Sequence, residues 1–423
     1  MLNLNKNIHI AYFISSISLL SLIYALVSGE NSIGGAVNDY FYHEKYLSFF
    51  SNNVYDGLQK FGSEKDIRNS PVFYILFSKI IDFGISIDFL KYVNSLIILP
   101  LVFFFIKSIK IKYKEVSNFE IVLLLSFIFL SPTIRSLTAY PYPLLWAVTF
   151  FLIAIYYYLK FSLRNNSIKN ALLVVLFTAI SAYFTPNFAV FYFYFSLKIL
   201  TNSKKFNDKL IFLIFSILLT IPAIFFLIWK DFYIINAGAD GISLTFFDKI
   251  NFFNKFVIIT TTIFLFAIPI INFQKIKKIY LGLKFEKNFI FILFFFIINL
   301  LFFNFKSDIG GGGIFYQFSQ ILFKNNFLLY FFFFLSLIFF YFYKLYNFDN
   351  IFLFVILILY NMQYTVYYKY FDPLLIFVFL FLIKFENFYK ININKFSINL
   401  IIFYIFFLIL NLLKVNFKNF MIN

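Results

Sequence analysis

Residues 210–229 read LIFLIFSILLTIPAIFFLIW, twenty positions without a single charge. A helix of that length rises about 30 Å, the thickness of a bilayer's hydrocarbon core. Similar apolar runs recur along the chain on both sides. Hydrophobic residues make up 62% of the 423 positions and charged residues 13%, about half the charged share of an ordinary soluble domain. A soluble fold has too little interior to hide that much apolar surface. The expected fold class is therefore all-α: a polytopic transmembrane helix bundle forming one integral membrane domain over residues 1–423. DNA-binding proteins, secreted disulfide scaffolds and soluble enzymes are excluded.

Composition narrows the chemistry further. Cysteine is absent, which removes disulfides, iron–sulfur clusters and thiol nucleophiles. His9 and His43 are the only histidines, too few for a His-rich zinc site. The net charge of +17 does not indicate nucleic acid, because the lysines sit between apolar runs, where membrane topology places them. The 73 Phe, with abundant Ile, Asn, Lys and Tyr, fit drift in an AT-rich, bacterial genome rather than an aromatic ligand cage.

Working outward from 210–229, the first apolar run is Ala11 to Val27. It follows a short segment carrying Lys6 and resembles a signal peptide, but the many later spans favour an uncleaved first helix. Residues 29–70 form the longest non-apolar stretch. Pro71 to Gly84 is apolar but short and carries Lys79 and Asp82, so it is read as an interfacial or re-entrant helix on the same side as that loop. Further spans are expected near 89–106, 119–133, 142–159, 170–184, 186–200, 254–273, 288–305, 326–343, 350–367, 371–387 and 397–413, about 13 in all. With the N-terminus inside, 21 of the 36 Lys and Arg fall on inner loops, which satisfies the positive-inside rule. Six of the 19 acidic residues lie inside and 13 outside. This layout places the chain in a bacterial inner membrane with a cytoplasmic N-terminus. No repeat of 20–50 residues is visible. Gly310–Gly313 lacks the Lys-Ser/Thr of a phosphate-binding loop and reads as a flexible outer loop.

The ionisable residues of the outer side cluster at Asn38-Asp39-Tyr40-Phe41-Tyr42-His43-Glu44. Asp39 and His43 are four apart and share a helical face, and Glu44 lies on the same turn. A carboxylate at the mouth of a helix bundle can take a proton from a sugar hydroxyl. The imidazole can hold its orientation or contact a phosphate. The alternative is a solvated Asp–His pair contributing a few tenths of a kcal/mol.

From here the chain resembles a family. One span, a long outer loop with an early acidic residue, a Pro-containing helix and a basic-ended second span are similar to the GT-C superfamily of membrane glycosyltransferases. Asp39 to His43 is similar to the Asp-x-x-x-His of the α-1,2-glucosyltransferase acting on lipid-linked oligosaccharide. Asn69-Ser70-Pro71-Val72-Phe73-Tyr74 resembles that family's Thr-Thr-Pro-Pro-Gly-Leu-Tyr, and Leu90-Lys91-Tyr92-Val93-Asn94 its Leu-Arg-x-x-Asn. Thr185-Pro186-Asn187 loosely resembles an Arg-Gln-Thr-Asn turn. Lys369-Tyr370-Phe371-Asp372-Pro373 resembles the Arg-Tyr-x-x-Pro of several GT-C branches. The match covers residues 1–110, and the remainder by layout. The family's second acidic residue is Tyr40 here, its Arg-Gln is Tyr183-Phe184 and its C-terminal Arg is Lys369.

The resemblance implies a polyprenyl-phosphate sugar donor, a glycan or lipid-linked acceptor, and a site in the outer loop 29–88. Asp39 would be the base, with His43 and Glu44 beside it. Arg68, Arg135 and Lys369, at outer ends of spans, could contact phosphate or serve as snorkelling anchors. Tyr364, Tyr367 and Tyr368 could line the same groove or form an interfacial aromatic belt. No Asp-x-Asp pair occurs, so neither metal nor other cofactor is expected. Membrane lipids are partners and nucleic acid is not. The competing readings are an O-antigen-polymerase-like protein, a polysaccharide or lipid flippase-transporter, and a non-catalytic scaffold.

Overall fold

The computed structural model describes residues 2–33, 35–51, 53–64, 69–163, 166–230, 250–270, 287–306, 311–363 and 366–385, with isolated positions between 402 and 409. Among these the chain is helical, with no strand. Four helices are long and apolar enough to cross a membrane, or five if one bent pair counts as a span. Further apolar helices of 10–17 residues accompany them. The count of about 13 spans thus exceeds what helix length supports among the described residues. Several apolar runs of the sequence are interrupted, and the pieces are shorter than the roughly 20 residues a span needs. The expected span 397–413 lies mostly outside the described residues.

The chain divides into two compact units, residues 1–237 with 408–423, and residues 238–407. In the first, α1 (Leu2–Ser28) ends at Gly29, whose φ of +68° suits glycine. The Glu30 amide then returns to the Ala25 carbonyl at 3.0 Å, closing the last turn. Three short helices follow on the long loop: α2 (Ala36–Phe49), α3 (Val54–Ser63) and α4 (Val72–Asp82). At 11 residues α4 is about 17 Å long, far short of a span. α5 (Leu90–Ser95) leads into α6 (Ile98–Lys112).

α7 (Asn118–Leu130) starts on a capping box of Ser117 and Glu120. It bends by 60° into α8 (Pro132–Ala139). Pro132 cannot continue the α7 ladder but suits a first helical turn, and Ser131 caps α8 through the Ile134 amide at 3.1 Å. α9 (Pro143–Leu163) and α10 (Ile168–Phe184) form an antiparallel hairpin, with Ser181 Oγ donating to the Ala147 carbonyl at 2.7 Å. The chain turns back at Thr185-Pro186 into α11 (Ala189–Asn202). α12 (Phe206–Trp229) contains Pro222, which supplies no amide to the turn before it. Tyr183 donates to the Leu219 carbonyl of that turn. One turn earlier Tyr192 donates to the Ser216 carbonyl at 2.7 Å.

The contacts sort the loops of this unit onto two ends. Glu30, Tyr74, Asn94, Arg135, Tyr142 and Lys230 meet partners at one end. At the other, Asn166 reaches the Asn202 carbonyl.

The second unit is built around α13 (Phe252–Ala267), buried over nearly its whole length. Phe256 contacts Phe295 of α14 (Lys287–Phe302), Phe333 of α16 (Phe327–Phe342) and Phe354 of α17 (Phe348–Tyr360). The Phe-rich composition thus serves interior packing here. A helix that the sequence did not announce, α15 (Gly313–Phe323), folds back on α16, with Phe315 and Phe332 stacked at 3.9 Å. Gly310 lies outside the described residues. Gly311–Gly313 are not a slack linker: all three have positive φ. The Gly312 amide donates to the Val366 carbonyl at 2.9 Å, and a Cβ on Gly311 would lie 2.8 Å from that oxygen.

Candidate active site

Asp39, His43 and Glu44 all lie on α2, which has no side-chain cap and carries Asp39 in its first turn. There the helix dipole favours a carboxylate. His43 is buried at 3% exposure, whereas Asp39 and Glu44 are half-buried. The imidazole sits in a tyrosine cage: Tyr142 edge-on at 4.3 Å, Tyr74 stacked at 5.7 Å and Tyr46 edge-on at 6.5 Å. Its Nδ1 is 2.7 Å from the Tyr74 hydroxyl. Asn69 Nδ2 also donates to that hydroxyl, at 3.3 Å. In the arrangement that satisfies all three groups, Tyr74 donates to Nδ1 and the imidazole proton resides on Nε2.

Burial holds the Tyr74 phenol well above the usual tyrosine range. The hydrogen bond from Asn69 opposes that shift, and Tyr142, Tyr46 and the Asp39 charge add to it. Tyr40 is pushed up to about 12, first by burial and then by the charges of Glu44 and Asp88. Asp39 thus adds to the upward push on Tyr74, and Glu44 to that on Tyr40. A half-buried carboxylate on the same helix as the buried His43 can accept a proton from solvent or from a bound hydroxyl.

The frame around α2 rests on two long-range contacts. Arg135 of α8 is buried and forms a two-pronged ion pair with Glu30, through Nε at 2.9 Å and through Nη2, while Nη1 donates to Ser21 at 2.7 Å. Arg135, expected as a phosphate contact or a snorkelling anchor, joins α8 to α1 through its guanidinium. At the far edge, Lys230 Nζ donates to the carbonyls of Phe61, Gly62 and Glu64 at 2.7, 3.3 and 2.8 Å, capping the C-terminus of α3. Phe61 in turn packs on Tyr74 at 5.5 Å.

His43 is buried among Tyr46, Tyr74 and Tyr142. Arg68 and Tyr364 lie outside the described residues. Tyr368 and Lys369 belong to the second unit, where Lys369 Nζ lies over the rings of Tyr367 and Tyr370 at 5.7 and 5.4 Å. The sequence reading missed Tyr142 and Lys230. Tyr142 carries a faint signal in Tyr140-Pro141-Tyr142-Pro143, a rigid turn with two rings. Lys230 looked like any lysine at the end of an apolar run. No group of three or more His, Asp or Glu among the described residues could hold a metal ion. Comparison with protein-family models, with curated proteins and with solved structures gives no match.

Proposed function

We propose that the chain is a multi-pass membrane glycosyltransferase of the GT-C type, working on the outer face of a bacterial inner membrane. It would move a sugar from a polyprenyl-phosphate donor to a glycan or lipid-linked acceptor. The observation that carries this reading is the placement of Asp39 in the first turn of α2, one turn before the buried His43 whose Nδ1 meets the Tyr74 hydroxyl. Asp39 takes the proton of the acceptor hydroxyl. That oxygen bonds to the anomeric carbon, the bond from that carbon to phosphate breaks, and polyprenyl phosphate leaves with the electron pair. His43 and Tyr74 hold the α2 face rigid during the transfer.

The test is turnover of a polyprenyl-phosphate sugar with a panel of lipid-linked acceptors, comparing wild type with Asp39→Asn at equal protein level. Asp39→Asn keeps size and hydrogen bonding but not basicity, and general-base help is worth about 10²–10⁴ in rate. Equal turnover rejects Asp39 as the base. A wild-type protein inactive on every such donor, yet moving lipid-linked glycan between leaflets, establishes the flippase reading instead.

A further inference from the structure

The two ends of the first unit differ sharply in charge. At the end carrying Asn166 and Asn202, the described residues include ten lysines: four in the segment 107–114 at the end of α6, Lys160 and Lys169 beside the α9–α10 turn, and four in the segment 198–209. Three carboxylates accompany them, Glu115, Glu120 and Asp208, leaving an excess of seven positive charges. Among the described residues of this end, that excess has no acidic group to match it in number.

Geometry adds to the count. α6 and α9 run side by side in the same direction, with Asn94 against Trp146 near their starts and Phe104 against Tyr156 near their ends. The Asn166–Asn202 hydrogen bond, at 3.1 Å, brings the other two lysine segments to the same level. At that level lysine heads lie over aromatic rings: Lys107 over Phe103 at 5.3 Å, Lys160 over Tyr156 at 4.6 Å and Lys198 over Tyr194 at 6.0 Å. Tyrosine rings with ammonium groups alongside, as at Tyr156 and Tyr194, are the arrangement that settles in a lipid headgroup layer. Among the described residues of the opposite end six basic groups meet seven acidic ones, and Lys45 pairs with Glu64, Lys79 with Asp82 and Arg135 with Glu30.

We propose that this lysine-rich end is a binding surface for anionic phospholipid headgroups, which gather there in preference to zwitterionic lipids. The surface rests on the membrane reading alone and is independent of the glycosyltransferase reading. Basic groups held at a membrane surface attract anionic lipid, and salt screens the attraction within about 10 Å at 0.1 M.

The absence of cysteine makes a direct test simple. A fluorophore is attached to Asn207→Cys, at the basic end, or to Ser51→Cys, at the other, and the full chain is reconstituted in bilayers. Quenching by spin-labelled phosphatidylglycerol is compared with quenching by spin-labelled phosphatidylcholine at equal mole fraction. The expected ratio is about threefold in favour of the anionic lipid at Asn207→Cys, close to one at Ser51→Cys, and close to one at both sites in 1 M NaCl. Lys107→Gln, Lys110→Gln, Lys205→Gln and Lys209→Gln together should markedly lower the preference at Asn207→Cys. A ratio of one at Asn207→Cys overturns the proposal, as does an equal preference at both sites or one that survives high salt. The salt arm decides the matter if the quadruple variant does not fold.

Discussion

The Tyr74 hydroxyl and His43 Nδ1 lie 2.7 Å apart, so a residue of α4 grips the imidazole of α2 from within the protein. Removing that hydroxyl takes a hydrogen-bond partner from a buried ring nitrogen. Such a loss costs about 1–3 kcal/mol. Tyr74→Phe is therefore expected to lower the thermal midpoint in detergent. On the proposed transferase reading it should also reduce turnover less than Asp39→Asn, because that reading gives the acceptor's proton to Asp39 and not to Tyr74. A Tyr74→Phe protein with unchanged stability would show that the contact contributes little to the fold.

The Glu30–Arg135 pair is buried on both sides, at 5% and 6% side-chain exposure. Removing one partner of such a pair strands the other charge and costs about 3–5 kcal/mol. Glu30→Gln and Arg135→Met are each expected to impair folding severely, while the double replacement recovers much of the loss. Additive losses in a double-mutant cycle, read by thermal unfolding, would refute the coupling.

Tyr40 supplies a pH prediction. Its folded-state pKa is raised to about 12 from 10.0. The neutral phenol is thus favoured in the folded protein, and its stabilising contribution is fully present below pH 10. That contribution is lost as pH rises from about 10 through about 12, because the unfolded chain ionises first. Stability should fall over this alkaline window, and Tyr40→Phe should soften the fall. Thermal midpoints measured between pH 8 and pH 12 for both proteins check this.

Topology is open to thiol labelling. Ser63→Cys, on α3, is expected to react with an impermeant reagent in intact spheroplasts, and Ser117→Cys, at the start of α7, is expected to be protected. The reverse pattern would place the N-terminus outside and remove the candidate site from the outer face.

Legible in the linear order of residues were the membrane class, the position of most helices and the loop that carries Asp39 and His43. These follow from local quantities: apolar run length, the 3.6-residue period and the distribution of lysine between runs. The brevity of α4 was legible too, because Pro71, Lys79 and Asp82 bound it. What local quantities could not reveal were pairings across the chain. Arg135 looks like a free cation until Glu30, 105 positions away, is brought against it. Lys230 looks like a membrane anchor until the carbonyl of Phe61, 169 positions away, meets its ammonium. Gly311–Gly313 look slack until Val366 closes on them. A side chain's charge and size are its own, but whether it faces a ligand, a lipid or a buried partner depends on which distant segment packs against it. That is set by the packing of the whole helix assembly.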